Sequence, residues 1–409
     1  MIHTLVCIFM LALLISRNGL PSCLAFAPAL RSSSFAIRNQ HRTRATLRTA
    51  SSSALATAQT QFWNREDSQK RAFTTMAPVV KQANIISLSN PDDVANALLH
   101  NAKLPPGAQL LQIGSSVDDF DLDKLRAAGA NTIFVSHPAS REPLAKLLDE
   151  LEGIEWVHTR SAGIDSIASH TLEQWKGTLT NAKGQFSSTL AEYSLMACSY
   201  FAKDLPRLLR NKVAKNWEQY SVLELRGATL GIIGFGDIGH ACAKLAQVYG
   251  MKIIALRRRP KPDDPLCDEV YSNDKESLNR LFRESDYILC SAPLTPETRG
   301  MIGAEQFANA KKGAVFINVG RGPIVKEDAL IAALQEGRLK GAALDVVEVE
   351  PLTSSSPLWA MDNVLLSPHN MDQTATFMHE ATEFFVEENL PRFLTGQPLL
   401  NEVDAQAGY

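Results

Sequence analysis

The sequence predicts an α/β protein whose body contains two domains, each built around a parallel β-sheet. From about residue 82 onward, short apolar segments typical of strands alternate with segments of helical periodicity. A second series of the same kind begins at Ala228. Alternation at this spacing favours βαβ units, in which consecutive strands lie parallel. A chain of 409 residues, 45% of them hydrophobic, is long enough for two separate cores.

The first series of elements precedes a long apolar helix. Strands are predicted at 84–88, 108–113, 131–136, 155–159 and 178–181. Helices are predicted between them at 91–101, 122–128 and 142–151. Ser187 and Ser188 are candidate N-caps of an apolar helix over 189–203, and Pro206 is predicted to end or kink that helix.

The second series supplies most of the candidate site. Its strands are predicted at 228–233, 252–256, 286–291, 313–319, 341–347 and 363–367. The tail over 371–396 has apolar residues at helical spacing and is predicted to be helical.

The N-terminal segment has the composition of a targeting sequence. Residues 1–24 contain an apolar run of signal-peptide length, and residues 25–76 begin with an Arg- and Ser-rich stretch without acidic residues, typical of a transit peptide and linker. The tandem resembles the bipartite presequences of algae with complex plastids, in which Phe26 would follow the cleavage point. We therefore expect a plastid location. Entry into the secretory pathway, a signal anchor, or a cytosolic form started at Met76 are the alternatives.

Charge and cysteine content exclude several classes of function. Residues 1–64 carry six arginines and no lysine or acidic residue, so the net charge of −3 divides into +6 for this segment and −9 for the rest. A body this acidic is not expected to bind nucleic acid. The six cysteines show neither metal-ligand spacing nor a disulfide framework, so no metal is expected. The mature protein is expected to have no membrane segment.

A glycine-rich turn predicts a dinucleotide site. Gly234, Gly236 and Gly239, with Asp237 and Ile238 between them, stand between an apolar strand and a helical run over 241–249. In that context the glycines allow a pyrophosphate to approach the backbone at the N-terminus of the helix.

The next strand indicates which dinucleotide binds. It runs into Arg257, Arg258 and Arg259, and no acidic residue occurs between Gly239 and Asp263 to accept from a ribose 2′-hydroxyl. Arginines at this place favour a 2′-phosphate, so NADP(H) is expected as the preferred cofactor, with NAD(H) possible. The alternative is that the arginines form a solvated turn.

Three charged residues follow three successive candidate strands. Arg321, Glu350 and His369 come after 313–319, 341–347 and 363–367. Parallel strands end at one edge of a sheet, so these side chains are expected to converge there. A guanidinium, a carboxylate and an imidazole can together hold an anionic substrate and move a proton. Glu348 is an alternative partner for His369, and His158, His240 and His379 are interpreted as structural.

Together the motifs resemble the D-isomer-specific 2-hydroxyacid dehydrogenase family. The matching stretches are Thr-Arg-Ser-Ala-Gly-Ile-Asp (159–165), the glycine-rich turn, Ala-Pro-Leu-Thr-Pro-Glu-Thr-Arg-Gly (292–300), Ile-Asn-Val-Gly-Arg-Gly (317–322), Ala-Leu-Asp-Val-Val-Glu-Val-Glu-Pro (343–351) and Ser-Pro-His (367–369). The resemblance implies a dinucleotide-binding domain (187–369) inserted into a substrate domain made of residues 77–186 and 370–409. It also implies a homodimer.

The resemblance also implies roles for individual residues. Arg321 matches the substrate-binding arginine, His369 the acid/base histidine and Glu350 its carboxylate partner. The loop at Ala162 and Gly163 would hold the substrate carboxylate. The cofactor side of the site would be lined by Ala292, Leu294, Val319 and Asp345.

The function expected from the resemblance is NADPH-dependent reduction of a small 2-oxo acid, of the glyoxylate or hydroxypyruvate type, to the D-2-hydroxy acid. His369 would act as the general acid. The alternatives are another 2-hydroxyacid dehydrogenase, including the 3-phosphoglycerate type, and a non-catalytic dinucleotide-sensing interaction protein. After the histidine, Asn-Met-Asp-Gln (370–373) departs from the small or glycine-containing residues common in the family, which leaves the substrate open.

Overall fold

The computed structural model describes residues 80–136 and 139–406, which form two parallel β-sheets with helices around them. The predicted signal peptide (1–24) and the transit peptide with linker (25–76) lie outside the described residues. Within the described part of the chain, no helix is both long and apolar enough to cross a membrane. The two parallel sheets confirm the predicted fold class.

The first sheet has five strands: β1 (Ala83–Leu88), β2 (Ala108–Gly114), β3 (Thr132–Val135), β4 (Trp156–Thr159) and β5 (Thr178–Asn181). They lie in the order β2-β1-β3-β4-β5, and every neighbouring pair is parallel. This is the flavodoxin-like order. We call this sheet with its helices the first lobe.

The second sheet has seven strands: β6 (Thr229–Ile233), β7 (Lys252–Arg257), β8 (Glu269–Ser272), β9 (Tyr287–Cys290), β10 (Ala314–Asn318), β11 (Leu339–Leu344) and β12 (Val364–Leu366). Their order is β12-β11-β10-β9-β6-β7-β8, all parallel. The strand order reverses between β6 and β9, which opens a crevice outside the carboxyl ends of these strands. This sheet with its helices is the second lobe.

The described helices are α1 (Leu122–Ala127), α2 (Arg141–Glu150), α3 (His170–Gln174), α4 (Ser187–Ala202), α5 (Leu205–Val213), α6 (Asp237–Val248), α7 (Lys275–Glu284), α8 (Ala304–Asn309), α9 (Glu327–Gln335), α10 (Phe377–Glu383) and α11 (Leu390–Leu394). Short 3₁₀ helices lie at Val94–Leu98, Val117–Asp119, Gly322–Ile324 and Pro357–Ala360, and a π-helical segment, Phe384–Asn389, joins α10 to α11. In the second lobe, α4 and α6 cover one face of the sheet and α7, α8 and α9 cover the other.

Some elements differ from the prediction. Strand β8 was not predicted, because Glu269–Ser272 is only four residues long and contains two exposed residues, so it lacks an apolar run. The predicted helix over 91–101 is a 3₁₀ helix, Val94–Leu98, which starts where the Asp93 carboxylate accepts the N–H of Ala95. Strand β11 ends at Leu344 rather than 347, because the N–H of Val347 donates to the Glu350 carboxylate and not to a neighbouring strand.

The long helix α4 starts and ends differently from the prediction. Its N-cap is Phe186, and Ser187 already belongs to the helix. The helix ends at Ala202, and Asp204 adopts a left-handed conformation with φ of 52°. Pro206 then lies in the first turn of α5, where the missing N–H of a proline leaves no helical hydrogen bond unmade.

The tail completes the first lobe. Residues of the π-helical segment and of α11, including Phe385 and Leu390, are buried in one cluster with Ile85, Phe134 and Trp156 of the first sheet. Near the end of the described chain, Glu402 forms an antiparallel bridge with Thr180 of β5. The first lobe is thus built from both ends of the described chain, and the second lobe is inserted into it.

Candidate active site

The glycine-rich turn lies at the carboxyl end of β6, beside the crevice. Gly234 has φ of 89°, and a Cβ there would lie 2.5 Å from the backbone of Ala292, so only glycine fits. Gly236 caps α6, and the space that its Cβ would occupy is open. A twelve-residue helix with an open glycine at its start suits a pyrophosphate, because its first N–H groups point outward.

The other predicted cofactor residues lie around this turn. Ala292, just after β9, is buried against Gly234. Val319, just after β10, is also buried. Leu294 is partly buried and packs in the same apolar cluster as Ala292. Ile238 packs against the α4 face, and the Asp237 carboxylate lies 3.5 Å from the Lys183 ammonium.

The loop after β7 contains an acidic residue, Asp264, that had no predicted role. Nη1 of Arg257 lies 3.9 Å from Oδ2 of Asp264, and Nε2 of His240 lies 3.3 Å from the same oxygen. Oδ1 of Asp264 accepts the N–H of Leu266, and its side chain is only 10% exposed. Asp264 therefore already has three partners, Arg257, His240 and the N–H of Leu266.

Arg321 reaches across from the second lobe to the first. Its Nε donates to Oδ2 of Asp165 at 2.9 Å, and its Nη1 donates to the carbonyl of Gly320 at 2.8 Å. The guanidinium lies directly on the backbone of Gly163, where a Cβ would overlap Nη2. The structure thus brings Arg321 onto the loop formed by Ala162 and Gly163, although Gly163 precedes it by 158 residues in the sequence.

The loop under Arg321 is itself fixed by hydrogen bonds. The Ser161 hydroxyl donates to the carbonyl of Gly163, and the Asn181 amide donates to the carbonyl of Ala162. Nη2 of Arg141 donates to the backbone carbonyl of Asp165 at 2.6 Å. A loop held in this way keeps its backbone and Asp165 in place beneath the guanidinium.

His369 and Glu350 form a hydrogen-bonded pair. Nδ1 of His369 and Oε2 of Glu350 are 2.7 Å apart, and Oε1 of Glu350 accepts the N–H of Val347. Within the described residues Nε2 of His369 has no hydrogen-bond partner, so this nitrogen is available to a ligand. His369 has φ of 51°, a backbone strain of the kind that clusters at functional sites. The alternative partner, Glu348, instead accepts the N–H of Glu327 at the start of α9.

Each member of the pair shifts the pKa of the other. The hydrogen bond to Glu350 raises the pKa of His369, with the charge of Glu350 adding to it, while burial and Arg321 oppose the rise. Burial acts to raise the pKa of Glu350, but His369, the Val347 N–H and Arg321 together bring it below its ordinary value. Both shifts favour the imidazolium–carboxylate form of the pair.

Asp345 holds the turn that carries His369 through hydrogen bonds. The residue is buried, and its Oδ1 accepts the Ser367 hydroxyl at 2.7 Å and the N–H of Asn370 at 3.1 Å. Its backbone carbonyl accepts the N–H of His369 at 2.9 Å. This positioning role was not expected from the sequence, which assigned Asp345 only to the cofactor side.

The chain is similar to known proteins in both sequence and fold. Residues 195–370 match the family model described as D-isomer specific 2-hydroxyacid dehydrogenase, NAD binding domain. Glyoxylate/hydroxypyruvate reductase B of Cronobacter sakazakii is 35% identical over 269 residues, which cover 64% of this chain and 82% of the reductase. A D-isomer specific 2-hydroxyacid dehydrogenase from Xanthobacter autotrophicus Py2, solved with NADPH and MES, is 30% identical, with a TM-score of 0.68 over 80% of this chain and 100% of its own.

The chain belongs to the D-isomer specific 2-hydroxyacid dehydrogenase family. A further solved relative is an NADPH-dependent glyoxylate/hydroxypyruvate reductase from Sinorhizobium meliloti in complex with NADP and sulfate. It is 26% identical, with a TM-score of 0.66 over 80% of this chain and 100% of its own. Membership in this family of NAD(P)-dependent dehydrogenases confirms the predicted resemblance.

Two acidic residues near the site, Asp165 and Asp372, had no predicted role. Asp165 was part of a matching motif but received no role, and only the folded chain shows that it pairs with Arg321. Asp372 was noted as part of a departure from the family, but not as a carboxyl with an enclosed, unpaired oxygen. The first had a local signal in its motif, whereas the second had none beyond its position after His369.

The His369–Glu350 pair predicts a specific pH response. As the general acid of a reduction, His369 would have to be protonated, so the rate is expected to fall as pH rises through its raised pKa. Replacing Glu350 by Gln removes the charge that raises this pKa, and the alkaline limb of the kcat/KM profile should move to lower pH. Replacing Glu348 by Gln is the matched control and should leave the limb in place. An unshifted limb in the Glu350→Gln variant would contradict the assignment of the dyad.

Proposed function

We propose that the protein reduces a small 2-oxo acid of the glyoxylate or hydroxypyruvate type to the D-2-hydroxy acid, with NADPH as the reductant. The observation that carries the proposal is the His369–Glu350 pair at the same sheet edge as Arg321 and the glycine-rich turn. Relatives that are glyoxylate/hydroxypyruvate reductases, one of them described as NADPH-dependent, support the substrate class.

The residues divide the chemistry between them. The reduced nicotinamide, when bound at the crevice, supplies the hydride that the carbonyl carbon accepts. Arg321 uses its remaining Nη hydrogens to bind the substrate carboxylate and the keto oxygen, because Nε and one Nη1 hydrogen are already engaged by Asp165 and Gly320. His369 donates the Nε2 proton to the oxygen as negative charge develops there, and Glu350 stabilises the imidazolium beforehand. In the oxidative direction the same histidine is the base.

The function is tested by following the oxidation of NADPH with a panel of 2-oxo acids. Glyoxylate, hydroxypyruvate, pyruvate and phosphohydroxypyruvate differ only in the group attached to the keto carbon, so they report the substrate class directly. We expect turnover with glyoxylate or hydroxypyruvate and a D-configured product where the product is chiral. Tight binding of NADPH with no turnover of any 2-oxo acid would instead support the dinucleotide-sensing alternative.

The preference for NADPH has its own test. The arginines at the end of β7 support 2′-phosphate binding, and Asp264, the nearby acidic residue, already contacts Arg257, His240 and Leu266. Replacing Arg257 and Arg258 together by Gln should raise the KM for NADPH by about 10- to 100-fold and change the KM for NADH little, since hydrogen bonds to a charged group contribute about 1.5–3 kcal/mol. Replacing the exposed Arg259 by Gln is the control from the same run. A wild-type preference for NADH would contradict the assignment.

We also propose a homodimer and a plastid location. An exposed apolar strip supports the first: α5 and the segment after it present Leu208, Leu209, Val213 and Leu223 to solvent, and Trp217 is 95% exposed. Large apolar side chains left exposed in one segment mark a candidate interface. The composition of residues 1–76 supports the second.

A further inference from the structure

Asp372 carries an unsatisfied carboxyl oxygen beside the candidate active site. It lies three residues after His369, in the connection from β12 to α10. Its Oδ1 is enclosed and, among the described residues, has no hydrogen-bond partner. Enclosing a carboxyl oxygen without a donor costs desolvation free energy with no compensating bond. A carboxyl oxygen left without a donor in this way calls for an explanation other than stability.

The backbone around Asp372 is fixed from two sides. Oδ1 of Asp345 accepts the N–H of Met371 at 3.3 Å, which ties the turn to the end of β11. The carbonyl of Met371 accepts the hydroxyl of Thr189 at 2.8 Å, which ties the turn to α4. The backbone that leads into Asp372 is thus fixed at Met371, while the Asp372 carboxyl itself has no hydrogen-bond partner among the described residues.

The charges around Asp372 are those of the site itself. Burial raises the pKa of Asp372 most, His369 and Arg321 act to lower it, and Asp345 acts to raise it. The pKa of Asp372 is thus coupled to the charges of His369 and Arg321. The side chain is only partly exposed: Oδ1 is enclosed, and Oδ2, which also has no hydrogen-bond partner among the described residues, is the oxygen open to a ligand.

We propose that Asp372 is a specificity-determining residue that accepts a hydrogen bond from a hydroxyl group on the substrate carbon next to the keto carbon. This inference rests on the proposed function and narrows its substrate to 3-hydroxy-2-oxo acids, of which hydroxypyruvate is the smallest. An ionised carboxylate only accepts hydrogen bonds, so a hydroxymethyl group satisfies it and a methyl group does not. A phosphate or second carboxylate at the same carbon is repelled by the like charge.

The test compares kcat/KM with NADPH for hydroxypyruvate, pyruvate and phosphohydroxypyruvate in three proteins. The wild-type protein should prefer hydroxypyruvate to pyruvate by about tenfold or more. In Asp372→Ala this ratio should fall by about tenfold, because the acceptor is gone. In Asp372→Asn the ratio should be largely kept, since the amide oxygen still accepts, while phosphohydroxypyruvate should improve by about tenfold as the like charge disappears.

Two further measurements make the outcome decisive. Glyoxylate lacks the carbon that Asp372 would reach, so its kcat/KM should change by less than about threefold in either variant. Asp149→Asn, an exposed residue at the end of α2, removes the same charge elsewhere and should leave every ratio unchanged. The near-isosteric Asn variant decides the matter even if the Ala variant fails to fold.

The results separate the two levels of the proposal. Turnover with unaltered substrate ratios in both Asp372 variants overturns the role of Asp372 and leaves the proposed function standing. Absence of turnover with every 2-oxo acid in the wild-type protein overturns the proposed function, and the inference that rests on it fails with it.

Discussion

Replacing His369 by Gln is expected to lower kcat for 2-oxo acid reduction by about 10²- to 10⁴-fold, which is the usual contribution of a positioned general acid. Glutamine keeps a donor near the Nε2 position but cannot release a proton to the developing alkoxide. The strained turn of His369 is held by the Asp345 carbonyl through the backbone, so the substitution leaves the fold of the turn intact.

The measurement pairs steady-state kinetics with binding of NADPH by fluorescence. The dissociation constant for NADPH should change little, because His369 lies after β12 and the glycine-rich turn follows β6, with three strands of the sheet between them. Replacing His170 by Gln is the matched control, since this histidine is exposed at the start of α3. A His369→Gln variant that kept more than about a third of its activity would contradict the role of His369 as the general acid.

Replacing Arg321 by Gln is expected to lower kcat/KM by about 10²- to 10³-fold, the cost typical of losing a donor aimed at the developing oxyanion. Asp165 and Gly320 hold Nε and Nη1 of the guanidinium, which fixes the plane of the fork and turns its remaining hydrogens outward. The substrate carboxylate then meets two parallel donors rather than a freely rotating charge.

Replacing Arg321 by Lys separates charge from geometry. Lysine keeps the positive charge but has neither the planar fork nor an Nε to pair with Asp165, so it should recover only a small part of the lost activity. Binding of oxamate, a non-reactive analogue of a 2-oxo acid, should weaken in parallel in both variants, while binding of NADPH alone should not. If the Lys variant were as active as the wild type, the bidentate role would be wrong.

Much of the fold follows from local patterns that the chain carries in every segment. A short apolar run between turn residues buries well only as an inner strand, and a helical period buries one face, so the predicted strands of both sheets match those observed within a few residues. The failures occur where this signal is weak. Strand β8 is short and half exposed, and in the segment expected to be a helix over 91–101 the 3₁₀ helix Val94–Leu98 buries only Ala95 and Asn96.

The candidate site was predictable as a set of residue types at strand ends. Arg321, Glu350 and His369 follow β10, β11 and β12, which are neighbours in one sheet, so topology alone brings them to one edge. Their individual partners were not predictable. Two glutamates two residues apart were both candidates for His369, and the direction of each side chain at the turn after β11 determines that Glu350 faces the histidine and Glu348 faces α9.

The sequence by itself determined the two-sheet architecture, the glycine-rich turn and the acid/base residue types, because each depends on periodicity or on chemistry within a few neighbouring positions. Only the tertiary structure decided that Arg321 pairs with Asp165, 156 residues away, that Asp264 lies against His240 of α6, and that Asp372 is left with an enclosed oxygen. The physical reason is that hydrogen bonding and burial of a side chain depend on what the other lobe or a distant turn places beside it. No local pattern in the chain records that neighbour.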